Sequence, residues 1–281
     1  MNMLKRLAVL LALAALPAMP VLARAPASQV EAPAEHPRFI PMAGGRNFRD
    51  VGGYRTASGK TVRWNVLYRS GSMGMLAPEG RMMLAGLHPE AIIDLRSTQE
   101  RARDDGWIAK RPGYWARDYD MSMGNLANPI AAGKPTAESM RALMTRGYAQ
   151  FPHEQAAGYR ALFARLLQAR GPVVVNCSAG KDRTGVATAL VLTALGVPYD
   201  TVRQDFLLSN GAPGMNTLLS SLGQGGAAAD VMAPVIGVEP GYLDTAFATI
   251  RKDYGSVDAY LAKELGVGPR ERAALRRRML R

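Results

Sequence analysis

The stretch "VVVNCSAGKDRTGVATAL" (Val173–Leu190) contains Cys177, which is the single cysteine of the 281-residue chain. Its three valines predict a short buried strand, and "TGVATALVLTAL" (Thr184–Leu195) predicts an apolar helix that Gly196 and Pro198 end. The residues between the cysteine and the helix are small or charged, which is typical of a loop. A strand that passes through a short loop into a helix is the repeating unit of α/β proteins, so the stretch predicts an α/β fold.

The loop between strand and helix has the composition of an anion-binding site. A loop of small residues that closes onto a helix N-terminus directs several backbone N–H groups and the positive end of the helix dipole to one point. The same field stabilises a thiolate, which is the nucleophilic form of cysteine. Arg183 would bring a planar fork of donors to this point, and such a fork fits two phosphate oxygens. We therefore predict that Cys177 attacks the phosphorus of a bound phosphate ester. The predicted substrate-binding residues are Ser178, Ala179, Gly180, Lys181 and Thr184, whose hydroxyl would bond the sulfur.

The rest of the chain alternates strand-like and helix-like segments. This alternation predicts a central, partly parallel sheet flanked by helices. Predicted strands lie in "RNFRDVGGYRTASGKTVRWNVLYRSG" (46–71, with a hairpin loop at "ASGK"), "AIIDLRS" (91–97) and "GYWARDYDMS" (113–122). Predicted helices are "PEGRMMLAGL", "SMRALMTRGYAQF", "AAGYRALFARLLQAR" and three more after residue 237. The segment 211–237 is rich in Gly, Ala, Met and Pro; it is a disordered connector or, as its Met and Leu content favours, a helical lid-like insertion over a site.

The N-terminus has the pattern of a secretory signal peptide. Lys5 and Arg6 precede the apolar "LAVLLALAAL" (Leu7–Leu16), and small residues that suit cleavage follow. A membrane anchor is the less favoured alternative, because it needs about 20 apolar residues. We predict a signal peptide over 1–25, a flexible lead-in over 26–38 and one domain over 39–281. The protein is thus expected to be exported, either to the periplasm or to the medium.

Composition narrows the classes of partner. The formal net charge of +12 favours anionic partners such as phosphorylated proteins, inositol phosphates or the headgroups of an anionic membrane. The basic C-terminal "RERAALRRRMLR" is more simply a solvated helix end than a nucleic-acid or membrane patch, and no nucleic-acid-binding motif is present.

A lone thiol in an exported protein forms no internal disulfide and is open to oxidation, which favours a functional role for Cys177. The three histidines of the chain are His36, His88 and His153. Each adjoins a proline in a predicted loop, so no metal site is expected, and no cofactor is expected either.

The segment "CSAGKDRTG" (177–185) is a Cys-x5-Arg signature and resembles the loop of protein-tyrosine phosphatases. Its "GKDRTG" ending is similar to that of the atypical bacterial tyrosine phosphatases that also accept phosphoserine, phosphothreonine and phosphoinositides. The resemblance covers nearly the whole mature chain in order, which makes it far more specific than the signature alone. The further matching segments are "NFRDVGGY" (47–54), "LYRSG" (67–71), "IIDLRS" (92–97) with Glu100, "YAQF" (148–151), "DFLLSN" (205–210) and "YGSVDAYL" (254–261).

The resemblance implies a protein-tyrosine-phosphatase-like fold and a two-step mechanism without metal. Cys177 would form a phosphocysteine, Arg183 would hold the phosphoryl oxygens, and water would hydrolyse the intermediate. The general acid is expected from the segment after the third strand, as Asp118 or, preferably, Asp120, with Asp182 of the loop as the rival.

Neighbouring polar residues have supporting roles in this prediction. Asp94, Arg96, Asn47 and Asp50 are expected to brace the sheet end near the site. The family's usual histidine before the cysteine is replaced by Asn176, which affects the expected rate more than the reaction type.

Two other functions compete with this prediction. A cysteine acyl hydrolase needs a partner base such as His153, but it gives Arg183 no role. A pseudophosphatase that only binds phosphorylated ligands agrees with Asn176, although Cys177 and Arg183 are both intact. The sequence leaves open the oligomeric state and the choice among phosphoprotein, phosphoinositide and small phosphate ester.

Overall fold

The protein is described by a computed structural model over residues 36–121, 129–130, 132–215 and 229–281. Its centre is a five-stranded sheet with the order β1-β2-β5-β3-β4. β1 and β2 are antiparallel, whereas the other neighbours pair in parallel. The predicted α/β fold with a partly parallel sheet is therefore confirmed. The strands are β1 (Arg49–Asp50), β2 (Leu67–Ser70), β3 (Ala91–Asp94), β4 (Tyr114–Ala116) and β5 (Val173–Asn176).

The valines of β5 place this strand in the middle of the sheet. All four of its residues are buried, as expected for a parallel strand that is covered on both faces. Val173 and Val175 pack into the larger apolar core on one face, and Val174 packs with Tyr68 and Ile92 on the other. The carboxyl end of β5, where Cys177 follows, therefore lies at the centre of one sheet edge.

Helices cover both faces of the sheet, and each helix predicted from the sequence is present. α5 begins at Arg183, one residue before the expected Thr184, and ends at Leu195; Gly196, which follows, has a left-handed conformation with φ 89°. Nearly all of α5 is buried, which agrees with its continuous apolar sequence. The helices are α1 (Pro78–Gly86), α2 (Thr98–Arg101), α3 (Ala137–Glu154), α4 (Ala156–Gln168), α5 (Arg183–Leu195), α6 (Tyr199–Leu207), α7 (Ala229–Ile236), α8 (Pro240–Tyr254), α9 (Val257–Lys263) and α10 (Pro269–Met279), with 3₁₀ turns at Ile108–Lys110 and Leu208–Gly211.

The described residues include the whole of the predicted hairpin loop and both ends of the predicted insertion 211–237. The "ASGK" loop connects Arg55 and Thr61, which form an antiparallel bridge. Of the segment 211–237, residues 216–228 lie outside the described residues. Its last part forms α7, which packs on α3, so this part of the segment is helical. The four buried side chains at this contact are Met140, Leu143, Met232 and Ile236.

Two further sequence predictions concern the ends of the chain. Residues 1–35, with the predicted signal peptide and most of the lead-in, lie outside the described residues. Within the described ranges, no helix has both the length and the apolar character needed to cross a bilayer. In the basic C-terminal run, Arg276 Nε donates to Ala194 O at 3.0 Å and Arg278 Nη2 donates to Gly171 O at 3.1 Å. Part of this run therefore holds α10 against the body of the domain.

Candidate active site

The loop that follows β5 has a backbone that only glycine allows at one position. Gly180 has a φ of +69°. A Cβ at this position would lie 2.4 Å from Gly71 N and from Ser70 C, which belong to the neighbouring backbone. The loop thus packs closely against the end of β2, and this close packing requires glycine at position 180.

The carbonyl groups of the loop are bound from outside. Ser178 O accepts from Ser72 N at 2.9 Å, and Gly180 O accepts from Asn47 Nδ2 at 2.9 Å and from Arg69 Nη2 at 2.8 Å. Within the described ranges, none of the five backbone N–H groups from Ser178 to Asp182 has an acceptor. N–H donors without protein acceptors in one short loop are what an anion-binding site requires.

A buried ionic network supports the loop from the β2 side. Asp205 on α6 accepts from Arg69 Nη1 at 2.6 Å, from Arg49 Nε at 3.3 Å and from Tyr54 OH at 2.8 Å. Burial alone would raise the pKa of the Asp205 carboxyl, but the charges of Arg49 and Arg69 hold it well below its usual range. Because Arg69 also donates to Gly180 O, this network fixes the loop in place. Sequence reasoning assigned no role to Arg69 or Asp205.

Arg183, the first residue of α5, is held by a carboxylate that the sequence analysis named only as part of a motif. Its Nη1 lies 2.6 Å from Glu100 Oε2, and its Nη2 lies 2.7 Å from Glu100 Oε1. Nη1 also donates to Leu95 O and to Tyr119 OH, each at 3.1 Å. The Nε–H and the second Nη2 proton have no acceptor among the described side chains and backbone, so one edge of the guanidinium remains available for an oxyanion.

Glu100 is strongly ionised in this position. Burial would raise the pKa of its carboxyl, but hydrogen bonds and charge from Arg183, with further bonds from Ser178 Oγ and Ser97 N, lower the pKa to about 2. Glu100 also completes a capping box with Ser97 at the start of α2. The Ser-x-x-Glu spacing is a recognised helix signature, so the sequence carried a signal for this position of Glu100.

Tyr119 is another residue of the site to which the sequence analysis gave no role. Its hydroxyl donates to Leu95 O at 2.6 Å, and it accepts from Gln155 Nε2 at 2.9 Å and from Arg183 Nη1 at 3.1 Å. Tyr119 therefore fixes the second edge of the Arg183 guanidinium. No sequence pattern marks this residue, since its partners come from three distant segments of the chain.

Beside the loop lies a cleft of about 220 Å³. One wall is apolar and includes Val235 of α7, so the visible part of the predicted insertion borders the site. The other wall consists of Glu100 and the loop, which combines an apolar surface with a group of anion-binding donors. The apolar lining residues are Met121, Met144, Phe151 and Val235, and the loop residues are Ser178, Ala179, Lys181, Asp182 and Arg183.

Of the candidate acids, the structure places Asp182 in this cleft. Its Oδ1 accepts from Tyr148 OH and from Lys181 Nζ, each at 2.7 Å. Asp182 does not cap α5 with its side chain. Asp120 does not line the cleft: it is exposed and accepts a hydrogen bond from Gln99 Nε2. Of these two residues only Asp182 lines the cleft, and the choice of general acid stays a prediction.

Asp118, a candidate acid, and Lys181, a candidate substrate-binding residue, each pair with a charged side chain of the protein. Asp118 is exposed and pairs with Arg101. Lys181, expected to bind substrate, is nearly buried; its Nζ contacts Asp182 Oδ1 and donates to Gly237 O at 3.2 Å. Its ammonium group is therefore already engaged by two acceptors of the protein.

Thr184 does not make the hydrogen bond that was expected of it. Its Oγ1 is buried and has no partner in the part of the chain that the structure describes, Cys177 Sγ included. Cys177 itself is fully buried at the base of the loop.

The polar residues expected to brace the sheet end divide into two groups. Asn176 Nδ2 donates to Asp94 Oδ1 at 3.1 Å, and Arg96 Nη2 lies 2.7 Å from Asp94 Oδ2. Asn47 binds the loop directly, as described above. Asp50 instead accepts from Gly52 N and Asn65 N, each at 2.7 Å, and so braces the hairpin after β1 rather than the loop.

The histidines take no part in the cleft. His153 Nε2 lies 2.9 Å from Asp253 Oδ2, and His36 stacks on Trp64. His153 is therefore not the partner base that an acyl hydrolase would need beside Cys177. Over the described ranges, no three His, Cys, Asp or Glu side chains are grouped as they are around a metal ion.

The chain is similar to known phosphatases along most of its length. It is 34% identical over 226 residues to a protein of Cupriavidus necator that is named as a tyrosine-protein phosphatase, with 79% of this chain and 82% of the relative covered. It is 33% identical over 259 residues to the triple specificity protein phosphatase PtpB of Mycobacterium tuberculosis, with 78% and 91% covered. A tyrosine-protein phosphatase of Nostoc commune is 26% identical over 225 residues, with 76% and 74% covered. The model of the tyrosine phosphatase family matches residues 40–281, and the chain therefore belongs to that family.

Proposed function

We propose that this protein hydrolyses phosphate monoesters of proteins, phosphotyrosine above all, through a phosphocysteine on Cys177. The observation that carries the proposal is that the loop beginning at this cysteine holds five backbone N–H groups without acceptors in the described structure, together with one edge of Arg183 that is free of protein acceptors. These donors match the three non-bridging oxygens of a phosphoryl group, and their charge complements the charge that spreads over those oxygens during transfer.

In the first step the Cys177 thiolate attacks phosphorus while the bond to the leaving oxygen breaks. Asp182 gives its proton to that oxygen, which departs as the hydroxyl of tyrosine. We assign this role to Asp182 because it lines the cleft, and because both its hydrogen bonds fall on Oδ1. Oδ2 has no partner in the described structure and is available for the proton.

In the second step water attacks the phosphocysteine. Asp182, now a carboxylate, accepts a proton from the water, the sulfur–phosphorus bond breaks, and the thiolate leaves. Inorganic phosphate is the product. Arg183 holds the same oxygens in both steps, and Glu100 and Tyr119 keep its guanidinium in one orientation.

The apolar wall of the cleft supports an aromatic substrate side chain. Met144 and Phe151 offer surface for a tyrosyl ring, and the relatives are named as tyrosine-protein or triple specificity phosphatases. Phosphoserine and phosphothreonine come second, since they bury less apolar area. Phosphoinositides come third, because Lys181, whose Nζ is held by Asp182 and Gly237 O, has little capacity left to bind the further phosphates of such a headgroup.

Two kinetic comparisons test the proposal. Cys177→Ser should lose turnover of p-nitrophenyl phosphate and still bind phosphotyrosine peptide. Arg183→Lys should also lose most activity, because a point charge does not replace the fork. Arg160→Lys is the matched control, since Arg160 contacts Glu264 at the surface and should keep wild-type activity.

The same assays distinguish the alternatives. Substantial phosphatase activity in Cys177→Ser would contradict the mechanism. Faster hydrolysis of p-nitrophenyl acetate than of the phosphate would indicate an acyl hydrolase. Peptide binding without any turnover by the wild-type chain would indicate a pseudophosphatase.

Localisation is a separate proposal that rests on residues 1–25. If the chain is exported, the protein recovered from the periplasm or medium should begin near residue 26. N-terminal sequencing checks this, and an intact Met1 on the recovered protein would contradict it.

A further inference from the structure

A second and larger cleft is lined in part by Asn47, whose side chain also contacts the loop 177–183, here called the phosphate-binding loop. Its volume is about 460 Å³, within the range of sites for small ligands. It shares no lining residue with the smaller cleft that Ser178, Asp182 and Arg183 line. Most of its walls are apolar, with contributions from Ile40, Met42, Phe48 and Met75.

Arg46 is the one ionisable side chain that lines this cleft in the described structure. It is half-buried, and burial lowers the pKa of its guanidinium. No carboxylate, carbonyl or hydroxyl of the described residues accepts a hydrogen bond from it. A partly desolvated guanidinium without a partner is costly, whereas an arriving anion would supply the missing acceptors.

The cleft is shaped by close backbone packing. Gly44 has a φ of +76°, and a Cβ there would lie 2.4 Å from Met75 O. Gly214 has a φ of +77°, and a Cβ there would lie 2.3 Å from Gly45 O. Both positions require glycine, so the walls around Arg46 are set before any ligand binds.

Arg46 is linked to the phosphate-binding loop through the next residue, Asn47. Asn47 Nδ2 donates to Gly180 O at 2.9 Å, and Asn47 N donates to Pro213 O at 2.8 Å. Arg46 O accepts from Gly71 N at 2.9 Å, and Gly71 packs against Gly180. A ligand on Arg46 would therefore bear on the backbone that supports the loop.

We propose that this cleft is a second anion-binding site, in which Arg46 binds the phosphate of an organic phosphate and the apolar wall packs against the organic part. The site is distinct from the catalytic cleft, and it does not depend on the chemistry assigned to Cys177.

Titration of phenyl phosphate into the full chain carrying Cys177→Ser tests this site. Calorimetry should resolve two binding sites. Adding Arg46→Met, which keeps the length of the side chain without the charge, should weaken one of them by at least about tenfold. Arg55→Met removes an exposed hairpin arginine as the matched control and should leave both sites. Thermal melting checks folding, and Arg46→Gln repeats the test if the methionine variant unfolds.

The outcomes separate this proposal from the catalytic one. A single site in the Cys177→Ser protein, or two sites that survive both Arg46 variants, would overturn it. Inorganic phosphate should bind the Arg46 site more weakly than phenyl phosphate; equal binding would overturn the assignment of an organic ligand. Arg183→Met, introduced into the Cys177→Ser protein in place of Arg46→Met, should abolish only the loop site. If it abolishes neither, the proposed function fails while the Arg46 site stands.

Discussion

Replacing Glu100 by glutamine should disable the site while the fold survives. The substitution keeps the size of the side chain, but it removes the charge and turns one of the two acceptors facing Arg183 into a donor. In the wild-type protein Glu100 binds both Nη atoms of Arg183 at 2.6 and 2.7 Å. A guanidinium that loses these two contacts is free to turn away from the phosphoryl oxygens.

The magnitude follows from the pKa of the Glu100 carboxyl. It is lowered from 4.5 to about 2, and each unit corresponds to about 1.4 kcal/mol, so the folded state gains about 3 kcal/mol from this carboxylate at neutral pH. Because the folded pKa is depressed, this stabilisation is present above about pH 4.5 and is lost as the pH falls towards 2. A misplaced Arg183 should lower kcat/KM by about 100-fold.

Urea unfolding of the two proteins from pH 7 to pH 2, together with kcat/KM for p-nitrophenyl phosphate, measures both effects. The stability difference between wild type and Glu100→Gln should be largest at pH 7 and should shrink below pH 4.5. Glu90→Gln is the matched control: Glu90 accepts from Arg170 N and Gly171 N before β5, so its loss should not affect kcat/KM. A Glu100→Gln protein with wild-type activity, or a stability difference that is constant with pH, would refute the reasoning.

Three other substitutions test separate parts of the site. Asp182→Asn should lower kcat by about 100-fold for phenyl phosphate and much less for p-nitrophenyl phosphate, whereas Asp120→Asn should change neither; the reverse pattern would move the acid to the other loop. Asn176→His should shift iodoacetamide alkylation of Cys177 to lower pH, because Asp94 would hold an imidazolium beside the thiolate, and superimposed profiles would contradict this. Gly180→Ala should destabilise the protein by about 2 kcal/mol or more, since its Cβ would meet backbone, and an unchanged melting temperature would show that the loop is less tightly packed.

The parts of the site that lie close together in the sequence could be predicted from it. Cys177, the loop and Arg183 form one continuous stretch whose composition implies a strand, an anion-binding loop and a helix. Glu100 in α2 and Tyr119 in the loop after β4 reach Arg183 because β3 and β4 lie parallel to β5 in one sheet, with Asp94 paired with Asn176. Hydrophobic patterning predicts that strands exist, but it does not give their order in the sheet.

The loop after β4, which holds the candidate acids Asp118 and Asp120, shows why local sequence does not give the direction of a side chain. Thr98 N donates to Tyr119 O at 3.0 Å, and Tyr119 N donates to Thr98 Oγ1 at 3.1 Å. These bonds tie the loop after β4 to α2, with Tyr119 pointing to Arg183. The side chains on either side, Asp118 and Asp120, then point outward to Arg101 and Gln99. The direction of an irregular loop depends on such contacts, which local sequence does not encode.

The most direct test of the account is to trap the covalent intermediate. The wild-type protein, mixed with excess p-nitrophenyl phosphate and quenched in acid within the first turnover, is digested and analysed by mass spectrometry. The account predicts one added phosphoryl group on the peptide that contains Cys177, and none in the Cys177→Ser protein treated in the same way. Phosphatase activity with no phosphoryl group on Cys177, or with the group on another residue, would contradict it.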